Sequence, residues 1–118
     1  MKTTQLLDDL EFHDEHPYAQ PIFVAETGRV LRFLLKPGQS IDEHNVPGSP
    51  FFVVVLKGKG LFAGSDGHEE QFGTGSLLVF EPGERHSARA LDEELVFAGF
   101  LHSAPGMRPG RVSGEIAR

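Results

Sequence analysis

Glycine and proline interrupt this chain every few residues. Fourteen Gly and eight Pro leave apolar runs of about four to eight residues, rich in Val, Leu and Phe. Runs that short, bounded by turn residues, suit β-strands and fall below the length of an ordinary helix. The candidate strands are 21–26, 29–36, 51–57, 61–65, 69–72, 76–81, 85–91 and 94–102. The breaks between them have turn chemistry: Thr27-Gly28, Pro37-Gly38, Gly58-Lys59-Gly60, Asp66-Gly67 and Pro82-Gly83. Proline presets φ and glycine accepts positive φ, and Asp-Gly predicts a two-residue hairpin. The expected class is all-β, a sandwich or barrel. No helical period appears after residue 20. Before it, Leu6, Leu7, Leu10 and Phe12 allow one amphipathic turn, but an irregular arm is the reading adopted.

A chain of 118 residues with 39% hydrophobic content suits one domain with one core. Its expected parts are an N-terminal arm (1–19), a barrel domain (20–102) and a Gly-, Pro- and Arg-rich tail (103–118), the last expected to be mobile or packed on a neighbouring subunit. There are ten Phe but one Tyr and no Trp, so the aromatic rings need no polar partner and belong in a core or pocket lining. The net charge is −6 and no basic cluster stands out, which argues against nucleic acid and against an anionic membrane surface. The absence of Cys excludes disulfides and thiolate chemistry. MKTTQLLDDL has no apolar leader core, and no run approaches a membrane span, so a cytoplasmic location is expected.

Two segments share a recognisable spacing. In the first, Gly38 is followed by five residues and His44, then Val46 two residues on, Phe51 after four more, and Gly58 after another six. In the second, Gly75 is followed by five residues, then Glu81-Pro82-Gly83, His86 and, after three residues, Ala90. These resemble the two motifs of the cupin superfamily. The resemblance covers roughly residues 20–102 and implies an antiparallel double-stranded β-helix, or jelly-roll barrel.

In metal-binding cupins two His and a Glu of the first motif join a His of the second around one divalent metal. Here Val46 and Phe51 stand at two of those positions, and neither side chain has a lone pair to donate. His44 and His86 remain. Asp42, two residues before His44, would share its face on a regular strand and is one candidate third ligand; His102 is another. If a metal binds, it is expected to be Fe, Mn, Ni or Zn.

The same residues admit another reading. His44, Val46, Phe51, Val53 and His86 would line an apolar pocket in which the two His orient a small molecule. A small barrel can equally be packed solid by its own side chains. Three functions follow: a small-molecule-binding sensor, carrier or accessory protein with an eroded metal site; a metal-dependent dioxygenase or isomerase using His44, His86 and a third ligand; and a metal-free epimerase, for which Tyr18 is the only available Tyr. The first is preferred. Glu84 and Arg85 are expected in a solvated turn, and His13, His16 and His68 on the surface. A homodimer is expected, with the arm covering a sheet edge.

Overall fold

A computed structural model of the chain describes residues 1–44 and 47–102, apart from the side chains of Glu43 and His44. Val46 and residues 103–118 lie outside the described residues. Among the described residues there are nine strands and no helix: β1 (Tyr18–Ala25), β2 (Gly28–Leu35), β3 (Ser40–His44), β4 (Phe51–Lys57), β5 (Lys59–Ala63), β6 (Glu70–Gly73), β7 (Leu77–Phe80), β8 (His86–Ala90) and β9 (Leu95–His102). They form a five-stranded sheet in the order β1-β2-β9-β4-β7 and a four-stranded sheet in the order β3-β8-β5-β6. Every pairing is antiparallel. The all-β expectation holds. β3 was not among the sequence candidates, because SIDEH has only one apolar residue to signal it.

Alternation decides which side chains go inside. In β4 the burial pattern has Phe51, Val53 and Val55 buried, with Phe52 and Val54 between them half-buried. Adjacent residues of a strand point to opposite faces, so the first three fill the space between the sheets. Phe33, Leu35, Phe62, Phe80, Ala88, Ala90, Leu95 and Phe97 join them there.

Gly58 carries the chain from β4 in one sheet to β5 in the other. Its φ is +82°, and a Cβ there would sit 2.1 Å from the carbonyl oxygen of Glu94, so only glycine fits. The Asp66-Gly67 signal marks a turn but not a two-residue hairpin. The Gly67 N–H bonds the Gly64 carbonyl at 3.0 Å, and the strands resume only at Glu70.

The outer face of β2 carries Arg32, which is buried. It donates to the backbone carbonyls of Leu6 (3.1 Å), Asp8 (2.9 Å) and Asp9 (3.3 Å), and through Nε and Nη2 to Gln20 Oε1 (3.0 and 2.6 Å). A cation in so dry a place is tolerable because its N–H groups meet oxygens. Leu34, Val96 and Ala98 beside it are fully buried. The N-terminal arm therefore lies across its own sheet, pinned by carbonyls.

Candidate functional site

The two motifs meet at one end of the barrel. The backbones of His44 and His86 are directly opposite each other in the β3–β8 ladder. His86 is 4% exposed. Its ring stacks on Phe51 and on Phe80, each at 4.7 Å between centroids, and the two Phe rings are 6.3 Å apart. His86 Nδ1 lies 3.2 Å from the Glu84 carbonyl oxygen. A carbonyl can only accept, so Nδ1 carries a proton and, in the neutral ring, the lone pair falls to Nε2.

Behind this aromatic cluster, Phe33, Phe62, Phe97, Val53 and Ile41 close the interior around a cavity of about 10 Å³, room for one water at most. Gly99 makes the packing possible: a Cβ there would lie 2.6 Å and 2.7 Å from atoms of the Phe51 ring and 2.9 Å from Phe33. The structure places Phe51, Val53 and His86 together in a filled interior. Val46 is outside the described residues, as is the side chain of His44.

The candidate third ligands do not join His86. β3 bulges: Ile41 pairs with Ala88 and His44 with His86, so three steps on one strand meet two on the other. The bulge breaks the regular alternation on which Asp42's candidacy rested. Ile41 packs on the core, and Asp42 is exposed. His102 lies on the outer face of the five-stranded sheet, exposed and stacked on Phe52 at 6.5 Å. Among the described residues no group of three or more His, Asp or Glu is placed to hold a metal ion. With Val46 and Phe51 at two ligand positions, the described residues do not make up a complete metal site.

The space the interior lacks is found next to it. A groove of about 520 Å³ opens between the unpaired edges β6 and β7. Its floor is apolar, made by Phe62, Phe72, Leu78 and Phe80; Phe62 and Phe80 also wall the interior. Its rim carries Ser65, Asp66, His68, Glu70 and Glu84. Glu84 is not a solvated turn residue. Its carboxylate accepts the Glu81 N–H at 2.9 Å and the Ser65 N–H at 3.3 Å, tying the β7–β8 loop to the β5–β6 loop across one end of the groove. Gly64 leaves room for it, since a Cβ there would be 2.4 Å from Glu84 Oε2. Sequence reasoning missed Glu84, because its partners are backbone groups of a distant loop. Phe80 was within reach: it shares the inward parity of Leu78 and stands six residues before His86.

Other titratable groups lie at the periphery. The Lys36 ammonium bonds Asp14 and holds its carboxyl below the usual range. The Arg89 guanidinium bonds Glu69 at 2.9 Å, lowering that carboxyl and raising its own value. His13 stacks on Tyr18 at 4.2 Å and meets Glu11 at 2.8 Å, which keeps Tyr18 away from the barrel mouth.

The comparisons agree with this geometry. Residues 31–98, more than half of the chain, match the model of the cupin domain family. No curated protein matches. Among solved structures, an RmlC-like cupin protein from Desulfovibrio desulfuricans is similar over 86% of this chain and 96% of its own, at 24% identity and a TM-score of 0.80. A protein with a double-stranded β-helix domain from Klebsiella pneumoniae aligns over 86% and 90%, at 17% identity and a TM-score of 0.80. A protein from Thermus thermophilus aligns over 87% and 98%, at 19% identity and a TM-score of 0.81. Identities this low carry the fold alone, but the family match spans both sheets. The chain belongs to the cupin family.

Proposed function

We propose that this cupin is a small-molecule-binding module, a sensor, carrier or accessory protein, and that it binds in the groove between β6 and β7 rather than inside the barrel. The observation that carries the reading is a groove of about 520 Å³ with aromatic lining beside an interior of about 10 Å³; the depression of about 570 Å³ around Lys59, Gln71 and Arg89 has no aromatic lining. The groove volume is within the range of small-molecule sites, typically about 300–1,000 Å³. Its apolar floor and oxygen-bearing rim suit a ligand with an apolar body and hydrogen-bond donors. A positive group is favoured, because Asp66, Glu70 and Glu84 line the rim and the chain carries a net charge of −6. A cytoplasmic setting belongs to the same proposal.

The test is thermal stabilisation by a panel of aromatic amines, aliphatic amines and matched carboxylates, on wild type and Glu70→Lys. The reading expects amines to stabilise wild type and to lose most of that effect in the variant. Stabilisation by carboxylates alone, or by nothing in the panel, would count against it.

The metal-dependent enzyme is the second reading, favoured by the backbone pairing of His44 with His86. It needs a third donor, and Asp42 and His102 are both exposed. Elemental mass spectrometry of the untagged protein separates the two readings. Near-stoichiometric Fe, Mn, Ni or Zn in wild type, absent from His86→Ala, would move the enzyme reading to the front.

A further inference from the structure

The rim of the groove carries charge that nothing beside it balances. Asp66 accepts the His68 N–H at 2.9 Å, and Glu84 accepts the N–H groups of Glu81 and Ser65. Neither carboxylate, nor that of Glu70, has a Lys or Arg partner among the described residues. Other carboxylates do have one: Asp14 meets Lys36, Glu94 meets Lys57 and Glu69 meets Arg89.

Unused cations follow in the sequence. Residues 103–118 read SAPGMRPGRVSGEIAR, with Arg108, Arg111 and Arg118 against Glu115. Three Arg against one Glu make this segment +2; taken from the net −6, that leaves −8 on residues 1–102. Arg108 follows Met107 and Arg111 precedes Val112. Each of these two cations therefore has an apolar neighbour, which matches a groove with an acidic rim and an apolar floor.

The fold delivers the segment beside that groove. β7 and β9 both pair with β4 antiparallel, so they run in the same direction. Val79 and Phe100 are both level with Phe52, and β9 ends two residues further on, at His102. The chain thus leaves the sheet near the level of Phe80, at the Glu84 end of the groove. Two strand spacings, about 10 Å, separate β9 from β7. Five extended residues span about 17 Å, which brings Arg108 and Arg111 within reach of the rim.

We propose that residues 103–118 occupy the β6–β7 groove of their own chain, with Arg108 and Arg111 on its acidic rim, and that a small-molecule ligand must displace them. The inference rests on the groove being the small-molecule site and adds its regulation. Guanidinium and carboxylate form charge-assisted bonds, often in pairs. Exposed ion pairs are individually weak, so the segment is a displaceable occupant. A tethered segment has an effective concentration of order 1 mM; with an intrinsic dissociation constant of about 0.1 mM it weakens a competing ligand about tenfold.

The experiment uses the full chain as wild type, Arg108→Gln/Arg111→Gln and Lys2→Gln/Arg29→Gln. The last variant changes net charge equally, at exposed positions outside the groove. Two-dimensional amide NMR is first recorded without ligand, at two protein concentrations tenfold apart. The expected result is that amides of residues 63–72, 77–80 and Glu84 differ between wild type and Arg108→Gln/Arg111→Gln, equally at both concentrations, while Lys2→Gln/Arg29→Gln matches wild type there. In a following titration with aromatic amines, Arg108→Gln/Arg111→Gln should bind about tenfold more tightly than the other two forms. Groove amides identical in wild type and Arg108→Gln/Arg111→Gln overturn the proposal; amine binding equal in all three forms then leaves the small-molecule reading standing. Differences that grow with concentration place the segment of a second copy in the groove and overturn the assignment to the same chain. The same amide changes in Lys2→Gln/Arg29→Gln reduce the effect to net charge and overturn it too. Amides that differ as expected while no amine binds any form refute the small-molecule reading, and the competition with it.

Discussion

Phe51 occupies the position where a metal-binding cupin carries a glutamate, and its replacement by alanine tests what the ring now does. It is 4% exposed, with the rings of Phe33, Phe80 and His86 at 6.2, 6.3 and 4.7 Å. Removing it forfeits about 2–3 kcal/mol of transfer free energy. It also opens about 100 Å³, and at roughly 24 cal/mol per Å³ the unrelaxed hole costs about 2.4 kcal/mol more. The sum, about 4.4–5.4 kcal/mol, reaches the top of the range for a buried Phe→Ala change. The assay is urea unfolding followed by circular dichroism, with wild type and variant sharing one m-value. The new hole has the shape of the lost ring and is lined by Phe33, Phe80 and the face of His86, so benzene should restore part of the loss in Phe51→Ala and do nothing for wild type. A loss below about 1.5 kcal/mol, or equal stabilisation of both proteins by benzene, would refute the packed interior.

Three further outcomes follow from the same packing. Arg32→Met should cost about 2–3 kcal/mol by removing charge-assisted bonds to the arm's carbonyls, and limited proteolysis should then cut within residues 1–17 while leaving the barrel intact. Gly99→Ala should cost about 1–3 kcal/mol through overpacking against Phe51 and Phe33, read as a lowered urea midpoint. In acid, Asp14 and Glu69 should contribute in a known direction. Both carboxyls are depressed in the folded state by their partners Lys36 and Arg89. Their contribution is therefore complete above the ordinary carboxylate value of about 4 and is lost as pH falls through the lowered values. Both pairs are exposed, so adding salt should flatten that part of a pH–stability curve.

The barrel was legible because its signals are local. Gly and Pro mark the turns, alternation in FFVVVLK sorts Phe51, Val53 and Val55 inward, and the spacing of the two motifs places His44 opposite His86. The bulge in β3 was not legible, because nothing in SIDEH announces an extra residue; it is what separates Asp42 from His86. Arg32 reads as a solvent-facing residue of an amphipathic strand until the arm's carbonyls arrive from 23 to 26 positions away. Glu84 likewise depends on Ser65, 19 positions away. The choice between a hollow and a filled barrel rested on ring packing. Ten Phe in the sequence allow either; Gly99, by admitting Phe51 and Phe33 over its Cα, decides for the filled one.

In the proposed reading, ligand binds beside the barrel and not within it. Two-dimensional amide NMR of the labelled protein, titrated with a stabilising aromatic amine, tests it most directly. The account predicts shifts confined to residues 63–72, 77–80 and Glu84, with the interior strands around Phe33, Val53 and Phe97 unmoved. Large shifts centred on Val53, Phe97 and His86, with the groove residues silent, would contradict it and return the site to the barrel interior.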